Sequence, residues 1–282
     1  MIIDFHTHIF PPEVSDERDR FLQTDPTFRE MYSSPRARVA TAEELLAEMD
    51  SAGVHAAIAL GFAWQAGDLC RRHNDYILEA AAASKGRIIP FCTLNPALGE
   101  PALREAERCA RAGARGAGEL RPENQGYELD GAGGEVLLHA AKELGLLLLF
   151  HVSEPVGHQY PGKQGLRLDA FYRFVTANPG LPIVGAHLAG GLPFYAHMTS
   201  VGPAVADLFF DTAGVPFLYG EAAYGQVIEQ TVPERVLFGS DFPLIGVNRQ
   251  LEAIRRNVTE PRTQALVLGG NAARLLGYGE SA

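Results

Sequence analysis

Eight short apolar runs, separated by stretches with helical periodicity, constrain the fold of this 282-residue chain more than any other feature. They cover residues 1–10, 54–60, 87–93, 114–120, 146–151, 183–187, 205–211 and 236–241. Several are almost continuously apolar, as strands buried on both faces are, and such strands belong to parallel sheets covered by helices. The intervening stretches read as those helices. Thr41 caps the first, with Glu44 completing a capping box, Leu45, Leu46 and Met49 on the apolar face and Gly53 at its end. Others are predicted near 69–84, 100–112, 132–144, 168–177 and 216–230, with two terminal helices at 247–257 and 262–276. Eight strands close a barrel, and this length suits a (β/α)8 TIM barrel within α/β architecture. An open doubly wound sheet would need a phosphate-binding glycine loop after the first strand, where histidines and prolines stand instead. Gly131 to Gly134 has no strand before it and reads as a turn.

Residues 11–40 interrupt the alternation with Pro11, Pro12, Pro26 and Pro35, many charges and no sustained period. The expectation is a long loop with a short helix near 27–32. Because it leaves from the end of the first strand, it reads as a lid-like insertion in a single barrel domain spanning 1–282.

Acidic residues outnumber Lys and Arg by 34 to 24, a net charge of −10 that disfavours nucleic acid and anionic lipid as partners. Cys70, Cys92 and Cys109 are odd in number and lack metal-ribbon spacing, so neither a disulfide framework nor a zinc ribbon is expected. With no basic leader before an apolar run and no long apolar span, the expectation is a cytoplasmic enzyme with a small-molecule substrate and no membrane partner. Homo-oligomerisation is left open.

In barrels of this kind chemistry collects at the C-terminal ends of the strands. The polar residues there are His6 and His8 on strand one, Glu119 on strand four, His151 on strand five, His187 on strand six and Asp241 on strand eight. His6 and His8 alternate along one strand and so share a face. Each of the six follows a run that should be buried, where an unpaired imidazole or carboxylate costs several kcal/mol. One shared metal centre accounts for all of them.

The motifs Asp4-Phe5-His6-Thr7-His8, His151-Val152-Ser153-Glu154-Pro155, Gly185-Ala186-His187-Leu188-Ala189-Gly190-Gly191, Gly239-Ser240-Asp241-Phe242-Pro243 and Gly270-Asn271-Ala272-Ala273-Arg274-Leu275-Leu276-Gly277 give the chain a resemblance to the amidohydrolase superfamily. More narrowly, it resembles the branch that includes aminocarboxymuconate-semialdehyde decarboxylase. The resemblance implies a barrel with a divalent ion, zinc first and manganese or iron as alternatives, held by His6, His8, His151 and Asp241. It implies that His187 either binds a second ion or acts as acid, base or carbonyl polariser. Gly116-Ala117-Gly118-Glu119-Leu120 departs from the decarboxylase pattern and is similar to the two-metal hydrolases, where a strand-four residue bridges two ions. The leading expectation is therefore a metal-dependent hydrolase of a small amide, ester or lactone, with one or two ions and Asp241 as proton acceptor. A non-oxidative decarboxylase of an unsaturated or aromatic acid is the alternative, and a catalytically silent barrel the third reading. Arg121, His158, Tyr160, Lys163 and Trp64 are the candidate substrate contacts.

Overall fold

A computed structural model describes residues 1–278. Eight parallel strands run in sequence order: β1 (Ile3–His8), β2 (Ala56–Leu60), β3 (Ile88–Cys92), β4 (Gly116–Leu120), β5 (Leu147–Phe150), β6 (Ile183–Gly185), β7 (Phe209–Asp211) and β8 (Val236–Leu237). The last strand returns to the first through Phe5 N–H to Phe238 O at 2.7 Å, Asp241 N–H to His6 O at 2.9 Å and His8 N–H to Phe242 O at 2.7 Å. Those bonds close the (β/α)8 barrel. Inside it, Ile3, Phe5, Ile58, Leu60, Ile89, Phe91, Leu147, Leu149, Val184, Phe209 and Leu237 form one buried cluster, while two larger clusters join the outer strand faces to the helices.

The capping box at Thr41 forms as expected, and Gly53 ends that helix with φ 68°. Strands seven and eight are shorter than expected. Val205 lies in a helix, Gly202–Asp207, and packs in the outer layer, so only Phe209 onward joins the ladder. The expected helix at 216–230 is two, Val215–Leu218 and Ala223–Gln230, either side of Gly220. Of the glycine-rich turn, only Gly131 is a cap. Gly133 and Gly134 are buried in the first turn of the helix Ala132–Lys142.

Residues 11–40 are mostly helical rather than a loop: α1 (Pro12–Asp16), α2 (Arg18–Thr24) and α3 (Pro26–Tyr32) precede α4 (Ala42–Ala52). Pro12 and Pro26 stand at helix starts, where a missing N–H costs nothing. The segment is held by an aromatic cluster: Phe28 stacks on Trp64 at 5.4 Å and on Tyr32 at 4.7 Å, with Phe10, Phe21 and Phe62 around them. Asp25 caps α3 through Phe28 N–H and also accepts from Gln65 N–H, tying the segment to the chain after β2. Among the described residues no helix is long and apolar enough to cross a membrane.

Candidate metal centre

Strand parity alone would not bring all the donors into the barrel. Ile3 and Phe5 face the interior, and a strict two-residue period would then turn His6 and His8 outward. One extra residue prevents this: Asp4 pairs with Ala57 and Thr7 with Ala59, three steps on β1 against two on β2. A second irregularity does the same in β4, where Ala117 pairs with Leu148 and Leu120 with Phe150. Ala117 and Leu120 both pack in the outer layer, and Glu119 is turned inward between them. Such bulges re-aim single side chains. Close packing adds to the effect, since a β-carbon on Gly239 would stand 2.8 Å from His6 Cβ and one on Gly165 would run into His151 Cδ2.

The structure brings the six predicted donors together. His6 Nε2 lies 3.1 Å from His8 Nε2, and Asp241 Oδ1 lies 3.7 and 3.8 Å from those two atoms. Across the barrel, His151 Nδ1 and His187 Nε2 are 3.0 Å apart and stand 2.9 and 3.1 Å from Glu119 Oε1. Glu119 also faces the first pair, its Oε1 3.8 Å from His6 Nε2 and its Oε2 3.8 Å from His8 Nε2. Two triads, His6/His8/Glu119 and Glu119/His151/His187, therefore share one carboxylate. Imidazole lone pairs this close repel unless a proton or a cation lies between them. Nitrogens bound about 2.0–2.1 Å from one ion fall at about this separation, so the donor set fits a divalent metal.

Charge is distributed unevenly over the array. Burial pushes His6 down, but Asp211, with Glu119 and Asp241, more than offsets it and holds the ring up at about 9. Burial likewise opposes the charge on His187, while its bond to Glu119 raises it to about 10. Burial and the charge of His6 lower His8 to about 3, and burial with the Arg121 cation lowers His151 to about 3. Burial would raise Glu119, yet His151, His187 and His6 keep it well below the usual carboxylate range. Burial raises Asp241. The buried carboxylates thus favour positive charge on His6 and His187, one ring of each triad, while His8 and His151 are held neutral.

Above the donors opens a cleft of about 570 Å³. Arg121, His158 and Tyr160 line it, as do His8, Glu119, His151, His187 and Asp241. Trp64 and Lys163 do not. Trp64 is 1% exposed in the aromatic cluster and donates from Nε1 to His73 Nδ1 at 2.9 Å, so it supports the wall from behind. Lys163 donates to Val156 O and His158 O at 2.8 and 3.0 Å, bracing its own loop.

Arg121 is buried, and its contacts all go to neutral acceptors: Asn124 Oδ1 at 3.1 Å, His151 Nδ1 at 3.4 Å, Gly162 O at 2.7 Å and Gln164 O. Sequence reasoning missed Tyr32, Arg36 and Arg38, which line the cleft from the 11–40 segment. It also missed Asp211, whose Oδ2 is 2.7 Å from His6 Nδ1. The signal for Asp211 was present, since it ends the apolar run Phe209-Phe210 as the other donors end theirs.

A family model described as amidohydrolase matches residues 3–278. A search of curated proteins finds no match. Among solved structures, the chain is similar to the 5-carboxyvanillate decarboxylase of Sphingomonas paucimobilis, at 22% identity over 98% of each chain and a TM-score of 0.75. It is similar to the 5-carboxyvanillate decarboxylase of Novosphingobium aromaticivorans with bound manganese and 3-methoxy-4-hydroxy-5-nitrobenzoic acid, at 20% identity over 98% of this chain and 97% of that one, with a TM-score of 0.81. It is also similar to the 2,6-dihydroxybenzoate decarboxylase from Rhizobium, at 18% identity over 98% of each chain and a TM-score of 0.76. At these identities the likeness is one of fold.

Proposed function

The chain belongs to the amidohydrolase family, and from that premise we propose that it is a metal-dependent decarboxylase of a small aromatic or unsaturated acid. This reverses the order of the two leading sequence expectations. The observation that carries it is Arg121: a buried guanidinium on the cleft wall, beside His151, whose partners are all neutral. Glu119 and Glu30 act on it only through space, no carboxylate bonds it directly, and a substrate carboxylate would supply such a charge-assisted bond. The surroundings suit a planar acid, with Met31, Tyr32, Phe62, Phe217 and Leu218 among the cleft lining and a volume in the range of small-ligand pockets. The three similar structures described above are decarboxylases of substituted benzoates, which supports the same reading.

His6, His8, His151 and Asp241 would hold the divalent ion, with Glu119 and His187 facing it. When bound, such an ion polarises a substrate oxygen as a Lewis acid. Arg121 orients the acid. As the bond from carbon to the carboxyl group breaks and carbon dioxide leaves, the electron pair remains on carbon and is taken up by a proton. Asp241, which lines the cleft, would hold that proton and deliver it. His187, bonded to Glu119, is the second group able to stabilise negative charge on the substrate. We read residues 1–282 as one catalytic domain in which the 11–40 insertion roofs the cleft, lining it with Met31, Tyr32, Arg36 and Arg38.

One observation favours the second reading, hydrolysis of an amide, ester or lactone: Glu119 is common to both triads, as a carboxylate bridging two ions would be. Two measurements separate the readings. The manganese-loaded protein is expected to release carbon dioxide from a hydroxybenzoate or an unsaturated acid and to leave esters and lactones intact; hydrolysis without carbon dioxide would overturn the proposal. Elemental analysis of wild type and Glu119→Gln should give one ion per chain in both, whereas two ions falling to one would support hydrolysis.

A further inference from the structure

Asp211 ends β7 fully buried, and both of its oxygens are committed. Oδ2 lies 2.7 Å from His6 Nδ1, while Oδ1 accepts from His187 N–H at 2.9 Å and from Ala213 N–H at 3.1 Å. One edge of the carboxylate meets a ring of the first triad, and the other meets the backbone of a residue in the second. We propose that Asp211 is the positioning residue that couples the two triads: it selects the nitrogen of His6 that faces the ion and holds His187 in the backbone conformation that aims its ring at Glu119.

At His6 the carboxylate acts through donors and acceptors. An ionised carboxylate only accepts, so the Nδ1 that faces it carries the hydrogen. In the neutral ring the lone pair is then left on Nε2. That is the atom 3.1 Å from His8 Nε2 and 3.8 Å from Glu119 Oε1. The opposite tautomer would point an N–H into the centre. Asp4 does not take this role: its Oδ1 accepts from the backbone N–H groups of His6 and Ser240, and the carboxylate oxygen bonded to the ring Nδ1 is that of Asp211.

At His187 it acts through the backbone. His187, Leu188 and Ala189 have φ of 58°, 54° and 48°, three consecutive non-glycine residues in the left-handed region that a β-carbon disfavours. Such a run persists only where its surroundings hold it. Asp211 Oδ1 takes the His187 N–H directly. Through the Ala213 N–H it also fixes the segment whose carbonyl, Ala213 O, lies 3.0 Å from His187 Nδ1. Backbone and ring of His187 are thereby referred to one oxygen, and His187 Nε2 is left 3.1 Å from Glu119 Oε1.

The inference rests on the donor set holding a divalent ion and is independent of the reaction that follows. Asp211→Asn tests it. The amide oxygen can still accept from His187 and Ala213, but its NH2 then faces His6 Nδ1, which must accept and carry its hydrogen on Nε2 instead. Manganese titrated into the metal-free full-length chain is expected to bind about 10–100-fold more weakly to the variant than to wild type. Circular dichroism and the melting curve of the metal-free variant should stay close to wild type. A folded variant with wild-type affinity would overturn the proposal. If the variant does not fold, nitrogen-15 histidine spectra of the zinc-loaded wild type decide: hydrogen on Nδ1 of His6 supports the assignment, and hydrogen on Nε2 refutes it. A wild type that binds neither ion removes the metal centre and this inference together, an outcome distinct from a metal-binding protein that merely lacks decarboxylase activity.

Discussion

The floor and the roof of the cleft are assembled by opposite means. On the floor, His6, His8, Glu119, His151, His187 and Asp241 leave strand ends, and none is more than 9% exposed. Their directions are set by two bulges and by hydrogen bonds to buried partners such as Asp211. The roof comes from α3 and the chain after it, and from the loop that follows β5; it presents Arg36, Arg38 and His158 at exposed positions, backed by an aromatic cluster that never reaches the cleft at Trp64. A preorganised floor stabilises one distribution of charge whatever enters, whereas a roof of long side chains sorts what enters by shape and sign. Chemistry and selectivity are therefore separable in this molecule, and substitutions should fall into two classes.

The largest effects belong to the floor. His6→Ala or His151→Ala should abolish turnover and reduce bound metal, because each removes one of a few converging donors; metal analysis of the purified variants checks this, and full metal with full turnover would move the centre elsewhere. Asp241→Asn should lower turnover at least about 100-fold while the fold survives, since an amide cannot carry the proton and such transfer is typically worth about 10²–10⁴. Unchanged turnover in a folded Asp241→Asn chain would take the residue out of the mechanism.

Legibility in the sequence follows the same division. The floor was readable because the strand ends are periodic: a polar residue closing each apolar run identified the six donors and the barrel that carries them. Asp211 obeys the same rule, closing the run 205–211, and was equally readable although the strand proper begins only at Phe209. The bulges were not readable. Nothing in Ile3-Asp4-Phe5-His6-Thr7-His8 announces that the strand gains a residue between Asp4 and Thr7, although without it the histidines would face the helices. The roof was hardest to read, since α1 and α2 are five and seven residues long and owe their helicity to the burial of Val14 and Phe21 rather than to any period of their own. An aromatic such as Trp64 looks the same in sequence whether it faces a substrate or supports the wall behind it.

Arg121 stands where floor and roof meet, so its removal should show a mixed effect. Arg121→Met is expected to raise KM about 10–100-fold, the value of a hydrogen bond to a charged group at about 1.5–3 kcal/mol, with a smaller fall in kcat. The variant should also melt at a lower temperature, because Gly162 O, Gln164 O and Asn124 Oδ1 lose their donor. Steady-state kinetics beside a melting curve separates the two. A wild-type KM would show that the acid group is recognised elsewhere and would break the argument for a carboxylate substrate.

The smallest effect is expected at Lys163, the other Lys or Arg among the candidate substrate contacts. Its ammonium is spent on Val156 O and His158 O, and it sits 5.7 Å from the centre of the Tyr160 ring, so it stabilises the loop from which Tyr160 reaches the cleft without facing the cleft itself. Tyr160 has a second tether, its hydroxyl donating to Glu154 Oε2 at 2.7 Å, which Lys163→Met leaves in place. The bonds lost are at the exposed side of the loop, where water can replace the ammonium as donor, and such contacts are worth about 1 kcal/mol or less. The expectation is a change of less than about threefold in kcat/KM with the same substrate that exposes the Arg121→Met defect. A loss as large as that of Arg121→Met would mean that the loop after β5 closes over the substrate and brings Lys163 onto it, and the division between a chemical floor and a selective roof would then hold only for the open cleft.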